Sequence, residues 1–368
     1  MPEVADILRR YGGAYLERFG DPVPKRHRRA IRDILDCRTS VLGGHMYACD
    51  RCGQRHFSYH SCGNRHCPKC HSHQVEAWIG ARRAELLPVP YFHLVFTLPQ
   101  ELRRTVRAHP RPLYGILMKA AAAALSKLAA DPRYVGGQPG ILAVLHTWTR
   151  TLEYHPHVHC LVTAGGRSPE GRWVPSKPDY LVPVKALSKV FRGIFVDLAR
   201  RACPEITLPQ AIWNRPWVVH AKPAVQGTDR VLSYLGRYVH RTAITNSRIL
   251  SMDDGRVRFR YQRVGETQWK TMDLDAHEFI RRFLQHVLPA GVHKVRYYGL
   301  WAPSNRKRLQ AVREALVAAD PDSSERQKPE SADAQPQPHP LQGERCPHCH
   351  LGTLQWKGRV SRAPRAPP

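Results

Sequence analysis

The sequence predicts an α+β protein, in which a small helical domain precedes a central antiparallel sheet with flanking helices. Strand-like runs of β-branched and aromatic residues alternate with amphipathic helical segments along most of the chain. Two hairpins are indicated, one with its turn near residues 153–155 and one near Gly265. Antiparallel neighbours with intervening helices fit an α+β sheet better than a doubly wound parallel one. The 368 residues, of which 42% are hydrophobic, are enough for two or three domains.

The elements follow from hydrophobic periodicity. Residues 1–36 are expected to be helical, because Ile7, Leu8, Ile31 and Ile34 recur at helical spacing. Further helices are expected at 74–87, 112–130, 185–203, 229–241, 276–287 and 305–317. Strands are expected at 91–97, 141–149, 157–163, 217–221, 256–262, 267–272 and 294–298.

The composition changes sharply after the last of these helices. Residues 320–344 are rich in Pro, Gln, Ser, Asp and Glu and carry almost no large apolar side chain, which is typical of a disordered linker. The expected organisation is therefore a helical, cysteine-rich domain at 1–90, the sheet domain at 91–318, a linker at 319–345 and a short tail at 346–368.

The N-terminus lacks the apolar segment of a signal peptide, and no run approaches the roughly 18 apolar residues of a membrane span. We therefore expect a cytoplasmic protein without a membrane partner. Lysine and arginine number 57 against 30 acidic residues, a formal charge of +27. The positive electrostatic field of such a charge concentrates polyanions and is typical of nucleic-acid-binding proteins, which in a bacterium associate with the nucleoid. A basic protein without a polyanion partner is the alternative.

Two Cys-x2-Cys pairs, Cys49 with Cys52 and Cys67 with Cys70, are separated by 14 residues. Four thiolates at this spacing satisfy the tetrahedral preference of Zn²⁺ and hold together a segment with little core of its own. In a reducing compartment the ten cysteines are expected to bind metal rather than form disulfides. The sequence therefore predicts one structural zinc ion held by these four residues.

More candidate ligands surround this site, and a second zinc ion held by a subset of them is left open. They are Cys37, His45, His56, His60, Cys62 and His66. Near the C-terminus, Cys346 and Cys349 form half a site. Either His348 or His350 can complete it, and a degenerate zinc knuckle is the alternative.

The segment 154–162 contains His157 and His159, separated by one apolar residue in a β-branched run. Side chains alternate along a strand, so both imidazoles face the same side and can hold one divalent cation. Further along, Tyr234 and Tyr238 are four residues apart, one above the other on a helix. In a strongly basic protein, this combination indicates cleavage of a nucleic-acid strand through a phosphotyrosine bond.

Several motifs in consistent order, over about residues 30–310, resemble the rolling-circle insertion-sequence transposases of the HUH (His-hydrophobic-His) two-tyrosine class, IS91 type. The motifs are SCGNRHCPKC at 61–70, HLVFTLP at 93–99, HTW at 146–148, HPHVH at 155–159, YLGRYVHR at 234–241 and RYYGL at 296–300. The resemblance implies an HUH nuclease-like sheet domain behind an N-terminal zinc-binding domain.

The resemblance also implies an activity, in which single-stranded DNA is cleaved at element ends and then transferred into a target. Tyr234 and Tyr238 would be the nucleophiles, each forming a 5′-phosphotyrosine, with Mg²⁺ or Mn²⁺ bound by His157 and His159. A third metal ligand often comes from a neighbouring strand, and His146 is preferred for this role. The alternatives left open are His93, Glu153 and Asn246.

Other residues are expected to contact DNA. Trp148 and Tyr154 can stack on unpaired bases, although core packing is the alternative for Trp148. Cations flank the tyrosines and the zinc-binding segment, where they suit phosphate positioning and duplex binding respectively. These are Arg237, His240, Arg241, Arg65 and Lys69.

Two other functions use similar parts. A rolling-circle replication initiator or a relaxase shares the chemistry, but the cysteine cluster and the motif order favour the transposase. A non-catalytic zinc-dependent DNA-binding protein, in which the histidines and tyrosines are structural, is the alternative from a different class. The sequence predicts no oligomeric state.

Overall fold

The computed structural model describes residues 1–20, 22–70, 85–222, 231, 236, 239, 242–263, 265–319 and 341–364. The chain forms two compact units. The first unit is Met1–His73, Ile244–Val287 and Lys328–Pro368, and the second is Gln74–Ala243 and Leu288–Gln327. The units therefore do not follow the linear domain order expected from the sequence, because residues 244–287 and the C-terminal tail join the N-terminal segment.

The regular elements, in chain order, confirm an α+β fold. The described helices are α1 (Val4–Phe19), α2 (Lys25–Asp36), α3 (Arg103–Ala108), α4 (Pro110–Ala129), α5 (Val184–Ala202), α6 (Ala276–Leu284) and α7 (Arg306–Ala319). The first strands are β1 (Gly44–Cys49), β2 (Arg55–Tyr59), β3 (Tyr91–Thr97), β4 (Gly140–Trp148), β5 (Tyr154–Thr163), β6 (Gly165–Arg167) and β7 (Trp173–Pro175). The remaining strands are β8 (Val219–Lys222), β9 (Ile249–Asp253), β10 (Arg256–Tyr261), β11 (Lys270–Asp275), β12 (Val295–Gly299) and β13 (Leu354–Val360).

The first unit contains α1, α2, α6 and two three-stranded antiparallel sheets. One sheet has the order β11-β10-β9, and its β10–β11 pair is the hairpin expected around Gly265. The other has the order β13-β1-β2, so that a strand from the C-terminal tail lies beside the first strand of the chain. Sequence periodicity did not predict this second sheet, because its strands are short and dense in cysteine and histidine.

The second unit is built on a five-stranded antiparallel sheet with the order β12-β4-β5-β3-β8. One face of the sheet packs against α4 and α5 and forms the main core. Alternate residues of β5, such as Val158 and Cys160, point into this core and are fully buried. The intervening residues, including His157 and His159, therefore lie on the opposite face.

The hairpin that joins β4 to β5 turns a few residues earlier than expected. Trp148 pairs with Tyr154, and the amide of Thr149 donates to the carbonyl of Glu153 over 2.9 Å. The sequence placed this turn at 153–155, but Tyr154 has a buried side chain and extends β5 instead.

Two expected helices, 74–87 and 229–241, lie largely outside the described residues, as does the expected linker at 319–345 apart from its ends. The residues described within the second helix are Val231, Gly236 and Val239, and all three are helical. Among the described helices, none combines the length and apolar character needed to cross a bilayer.

Candidate functional site

Three histidine side chains meet on the face of the five-stranded sheet opposite the main core. The ligand nitrogens of His146, His157 and His159 all lie within 4.8 Å of one another. The ring centroids are 4.6 Å apart for His146 and His159, and 4.9 Å apart for His157 and His159. The ligand nitrogens of the three rings are therefore close enough together to bind one metal ion.

Strand pairing explains why the three imidazoles converge. His146 on β4 lies directly opposite His157 on β5, and Val144 lies opposite His159. Directly opposed residues in an antiparallel pair project from the same face, and so do residues two apart on one strand. The register of the β4–β5 hairpin thus adds His146 to the His157 and His159 pair.

A hydrogen bond fixes the protons of His157. Its Nδ1 lies 2.7 Å from the carbonyl oxygen of His155, an atom that can only accept. His157 Nδ1–H is therefore the donor, which leaves the lone pair of the neutral ring on Nε2. Nε2 is the nitrogen that a metal ion can use.

His93, on the neighbouring strand β3, supports His159 in a similar way. His93 Nε2 lies 2.9 Å from His159 Nδ1. Burial, together with the charge of Lys222, lowers the pKa of His93 to about 4, so this ring is neutral at neutral pH. A neutral His93 can accept a hydrogen bond from His159 Nδ1–H and thereby direct Nε2 of His159 to a metal ion.

His155 has a different role from its neighbours. Its Nδ1 accepts a hydrogen bond from Arg103 Nη2 over 3.0 Å. Burial and the adjacent Arg103 guanidinium keep the pKa of His155 below its usual value. The side chain is therefore tied to α3, while its carbonyl oxygen orients His157.

The two aromatic residues expected at the site occupy different environments. Trp148 is half-buried, stacks on His146 with a centroid distance of 4.5 Å, and lies under the Lys294 ammonium. Tyr154 is buried in the main core, where its hydroxyl lies 2.7 Å from that of Tyr114. The expectation that Tyr154 stacks on DNA bases is therefore wrong, because its ring faces the helices rather than solvent.

The other candidates for a third ligand are placed as follows. His93 contacts His159 rather than the shared space between the three rings. Glu153 is exposed at the β4–β5 turn. Asn246 belongs to the first unit, where its Oδ1 accepts from the backbone amide of Val4 over 3.1 Å.

The nucleophile and phosphate-binding candidates Tyr234, Arg237, Tyr238, His240 and Arg241 lie outside the described residues. Two described neighbours, Val231 and Val239, are buried on the histidine-bearing face of the sheet. There they pack against a cluster that includes Leu142, Val144 and Leu161.

The cysteines form two separate groups in the first unit. The N-terminal cluster consists of Cys37, Cys62, Cys67 and Cys70, and the split cluster consists of Cys49, Cys52, Cys346 and Cys349. The expected single site of Cys49, Cys52, Cys67 and Cys70 is therefore wrong. Spacing along the chain identified both Cys-x2-Cys pairs, but folding gives each pair a different partner pair.

The N-terminal cluster has a suitable geometry for zinc. The Sγ atom of Cys70 lies 3.3 Å from that of Cys37 and 3.4 Å from that of Cys62. Of the additional zinc ligands that the sequence left open, Cys37 and Cys62 belong to the N-terminal cluster. His45, His60 and His66 belong to neither cysteine group.

The two cations expected to contact DNA from this segment are partly buried. Lys69 Nζ lies 2.5 Å from the Glu3 carboxylate at the start of α1. Desolvation lowers the pKa of Arg65 from its usual value.

Comparison with known proteins is consistent with this arrangement. A family model described as "Putative transposase" matches residues 140–308, and one described as "Transposase zinc-binding domain" matches residues 7–98. The "Putative transposase y4qJ" of Sinorhizobium fredii is 42% identical over 376 residues, covering 96% of this chain and 94% of the relative. The transposase for insertion sequence element IS801 of Pseudomonas savastanoi pv. phaseolicola is 30% identical over 314 residues, covering 79% of this chain and 74% of the relative. No solved structure matches the chain.

The first family match covers β4, β5 and β12, and with them all three converging histidines, while the second covers the N-terminal cysteine cluster. Similarity to the transposase from Sinorhizobium fredii extends over almost the entire length of both proteins. The chain therefore belongs to the IS91-type family of insertion-sequence transposases, and it carries that family's zinc-binding domain.

Proposed function

We propose that this transposase cleaves and rejoins single-stranded DNA at element ends by tyrosine transesterification, with His146, His157 and His159 as ligands of a catalytic divalent cation. The observation that carries the proposal is the convergence of these three imidazoles, with ligand atoms within 4.8 Å of one another. Hydrogen bonds to the His155 carbonyl and to His93 orient the rings of His157 and His159 respectively, which is the usual environment of metal-binding histidines.

The donor set favours some cations over others. Mg²⁺ takes oxygen ligands in near-ideal octahedral geometry, whereas Mn²⁺, a first-row transition ion, also accepts imidazole nitrogens. We therefore expect Mn²⁺ to support the reaction better than Mg²⁺. Bound at this site, such an ion would act as a Lewis acid on the scissile phosphate.

The proposed nucleophiles are Tyr234 and Tyr238. On a helix, positions three, four and seven residues after Val231 share its face, and they include 234 and 238. The Val231 side chain packs on the histidine-bearing face of the sheet. The proposal requires that the hydroxyls of both tyrosines reach the histidines.

The proposed reaction exchanges one phosphoester bond for another, so the number of phosphoester bonds does not change. A tyrosine oxygen attacks the scissile phosphorus and loses its proton, while the bond to the 3′-oxygen breaks and that oxygen takes up a proton. The products are a 5′-phosphotyrosine and a free 3′-hydroxyl. Attack of a 3′-hydroxyl on the phosphotyrosine reverses the step and joins strands, so a second tyrosine allows two strands to be held during transfer.

The test uses full-length protein, Mn²⁺ and single-stranded oligonucleotides that span the two ends of the element encoding the protein. With a label at the 3′ end, the label should become covalently attached to protein on a denaturing gel. With a label at the 5′ end, it should appear in a shorter free fragment. Attachment of the 5′ label instead would contradict the proposed polarity.

Variants assign the roles. The Tyr234→Phe and Tyr238→Phe double variant should form no adduct, and Tyr180→Phe, which alters a half-exposed tyrosine of the same unit, should react normally. His157→Ala combined with His159→Ala should lower adduct formation at least 100-fold. An adduct in the double phenylalanine variant, or undiminished cleavage in EDTA, would refute the proposed nucleophiles or the metal role respectively.

A further inference from the structure

The split cluster joins two cysteine pairs that are almost 300 residues apart in the sequence. Cys49 and Cys52 lie at the end of β1, and Cys346 and Cys349 precede β13. The Sγ atoms of Cys49 and Cys349 are 3.6 Å apart, and those of Cys52 and Cys346 are 3.8 Å apart. Sulfur atoms at the corners of a tetrahedron around Zn²⁺ lie about 3.8 Å apart, because the Zn–S bond is about 2.3 Å long.

Disulfide bonds do not explain these contacts. A disulfide requires an S–S distance of about 2.05 Å, and all four cysteines are free thiols here. The separations are those of four sulfurs around a common centre rather than of two bonded pairs.

Backbone amides point at the sulfurs in the same way in both halves of the cluster. The amide of Arg51 donates to Cys49 Sγ over 3.4 Å, and the amide of His348 donates to Cys346 Sγ over 3.4 Å. In each half, the donor amide belongs to the residue two positions after the acceptor cysteine, within the Cys-x2-Cys turn. Such bonds stabilise thiolates, which are the form in which cysteine binds metal.

The backbone holds the two halves in register. β1 pairs with β13 so that Cys49 lies opposite Leu354. The Asp50 carboxylate accepts hydrogen bonds from both the amide and the hydroxyl of Thr353, over 2.9 and 2.6 Å. The amide of Cys346 donates to the carbonyl of Gly352 over 2.8 Å, which closes the second turn.

Apolar packing around the cluster is slight. The buried apolar residues are Tyr47, Cys49, Cys346 and Leu354, and two of these four are cysteines of the cluster itself. So small a core does not hold a detached chain segment in place, and small domains of this kind depend on a metal or on disulfides.

We propose that the split cluster is a second structural zinc site, distinct from the N-terminal cluster and formed only when the C-terminal tail returns to β1. Two of its ligands lie beyond residues 7–98, the region that the zinc-binding family covers. The protein therefore binds two zinc ions per chain, and its C-terminal tail is part of the zinc-binding domain. A chain that ends after α7 lacks half of the ligands and the strand that pairs with β1.

His56 supports the same site from β2. Its Nε2 lies 3.6 Å from Cys346 Sγ, within reach of an N–H···S hydrogen bond. Such contacts from outside the ligand set orient the ligand and stabilise its charge. His56, a zinc candidate in the sequence, is thus assigned to a supporting position.

The test is the zinc content of the full-length protein after exhaustive dialysis, measured by elemental mass spectrometry. Every protein in this measurement and the next carries His157→Ala and His159→Ala, so that the three-histidine site adds no metal to the count. In this background we expect two zinc ions per chain, and one each after Cys346→Ser with Cys349→Ser or after Cys62→Ser with Cys67→Ser. Cys160→Ala, which removes a buried thiol from the sheet core of the other unit, should retain two. One zinc ion in this background, or two after loss of Cys346 and Cys349, overturns the proposal.

A second measurement separates loss of a ligand from loss of the fold. In protein refolded with Co²⁺, four-thiolate coordination gives an intense sulfur-to-cobalt band in the near ultraviolet. Cys349→His keeps a metal ligand at this position, so it should retain two Co²⁺ ions while the sulfur-to-cobalt intensity falls by about one part in eight. An unchanged spectrum means that Cys349 is not a ligand and overturns the proposal.

Discussion

His93 and His159 lie side by side on adjacent strands, with Nε2 of His93 2.9 Å from Nδ1 of His159. The two rings are nearly parallel, with their planes 7° apart and their centroids 5.2 Å apart. Because burial keeps His93 neutral, its Nε2 can accept a hydrogen bond from His159 Nδ1–H. A neutral His93 also adds no positive charge beside the proposed metal ion. This relationship makes His93 a positioning residue for the proposed metal ligand.

The first prediction concerns that contact. Replacing His93 with Phe removes the acceptor for His159 and should weaken Mn²⁺ binding by about 10- to 100-fold. His93→Gln keeps an acceptor oxygen and should weaken binding much less. Isothermal titration calorimetry with Mn²⁺ measures both affinities without requiring DNA cleavage. Equal losses in the two variants would contradict the role of this hydrogen bond, and a larger loss in His93→Gln would show that the bulk of the ring matters instead.

The second prediction uses heat stability to identify the metal ligands. A ligand at 100 times its dissociation constant stabilises the folded state by about 2.7 kcal/mol. Mn²⁺ should therefore raise the melting temperature of the wild type, and EDTA should reverse the rise. His157→Ala should abolish this response. His155→Gln should preserve it, because the backbone carbonyl that orients His157 remains. If both His157→Ala and His155→Gln abolished the rise in melting temperature with Mn²⁺, His155 would be placed among the metal ligands.

The third prediction tests the close packing at the split cluster. A Cβ atom at Gly352 would lie 2.5 Å from both Cys49 Sγ and Asp50 Oδ1, closer than real contacts allow. Gly352→Ala should therefore distort the site and speed the loss of zinc to a chelator at least tenfold. The matched control is Gly13→Ala on α1, where a Cβ meets nothing within 4 Å. That control should leave zinc release unchanged, and it should stabilise the helix slightly.

The fourth prediction treats Tyr154 as a core residue. Its hydroxyl lies 2.7 Å from that of Tyr114, and burial raises the pKa of Tyr154 well above its usual value. Tyr154→Phe should destabilise the protein by about 1–2 kcal/mol, because the Tyr114 hydroxyl loses this partner. In the Tyr114→Phe and Tyr154→Phe double variant the loss should be smaller than the sum of the single losses.

Urea unfolding of the four proteins measures this coupling. Full stability in Tyr154→Phe would contradict the contribution assigned to the buried hydroxyl contact with Tyr114.

Local pattern predicted much of the sheet. Runs of β-branched and aromatic residues located β3, β4 and β5 to within a few residues. The alternation of side chains along a strand placed His157 and His159 on one face. By contrast, β1, β2 and β13 are short and lie among cysteines and histidines, so no periodic apolar signal marks them.

The turn after β4 shows how a small difference in register changes a site. His146 comes to face His157 because the hairpin turns at 149–153 and pairs Trp148 with Tyr154. A turn at 153–155 would shift the partner of every residue on β4. The sequence suggested His146 because the strand at 141–149 was expected to pair with the strand of His157, and the register of that pairing determines where the ring lies.

By itself, the sequence determined the α+β class, the basic surface charge, the alternation of the histidines and the presence of Cys-x2-Cys pairs. These properties depend on residues near one another in the chain, whose relative positions follow from local backbone geometry. Only the tertiary structure decided which cysteine pairs meet, because Cys49 and Cys346 approach each other through strand pairing between distant segments. Sequence spacing carries no information about such long-range pairing, and for that reason the single site expected from four nearby cysteines became two.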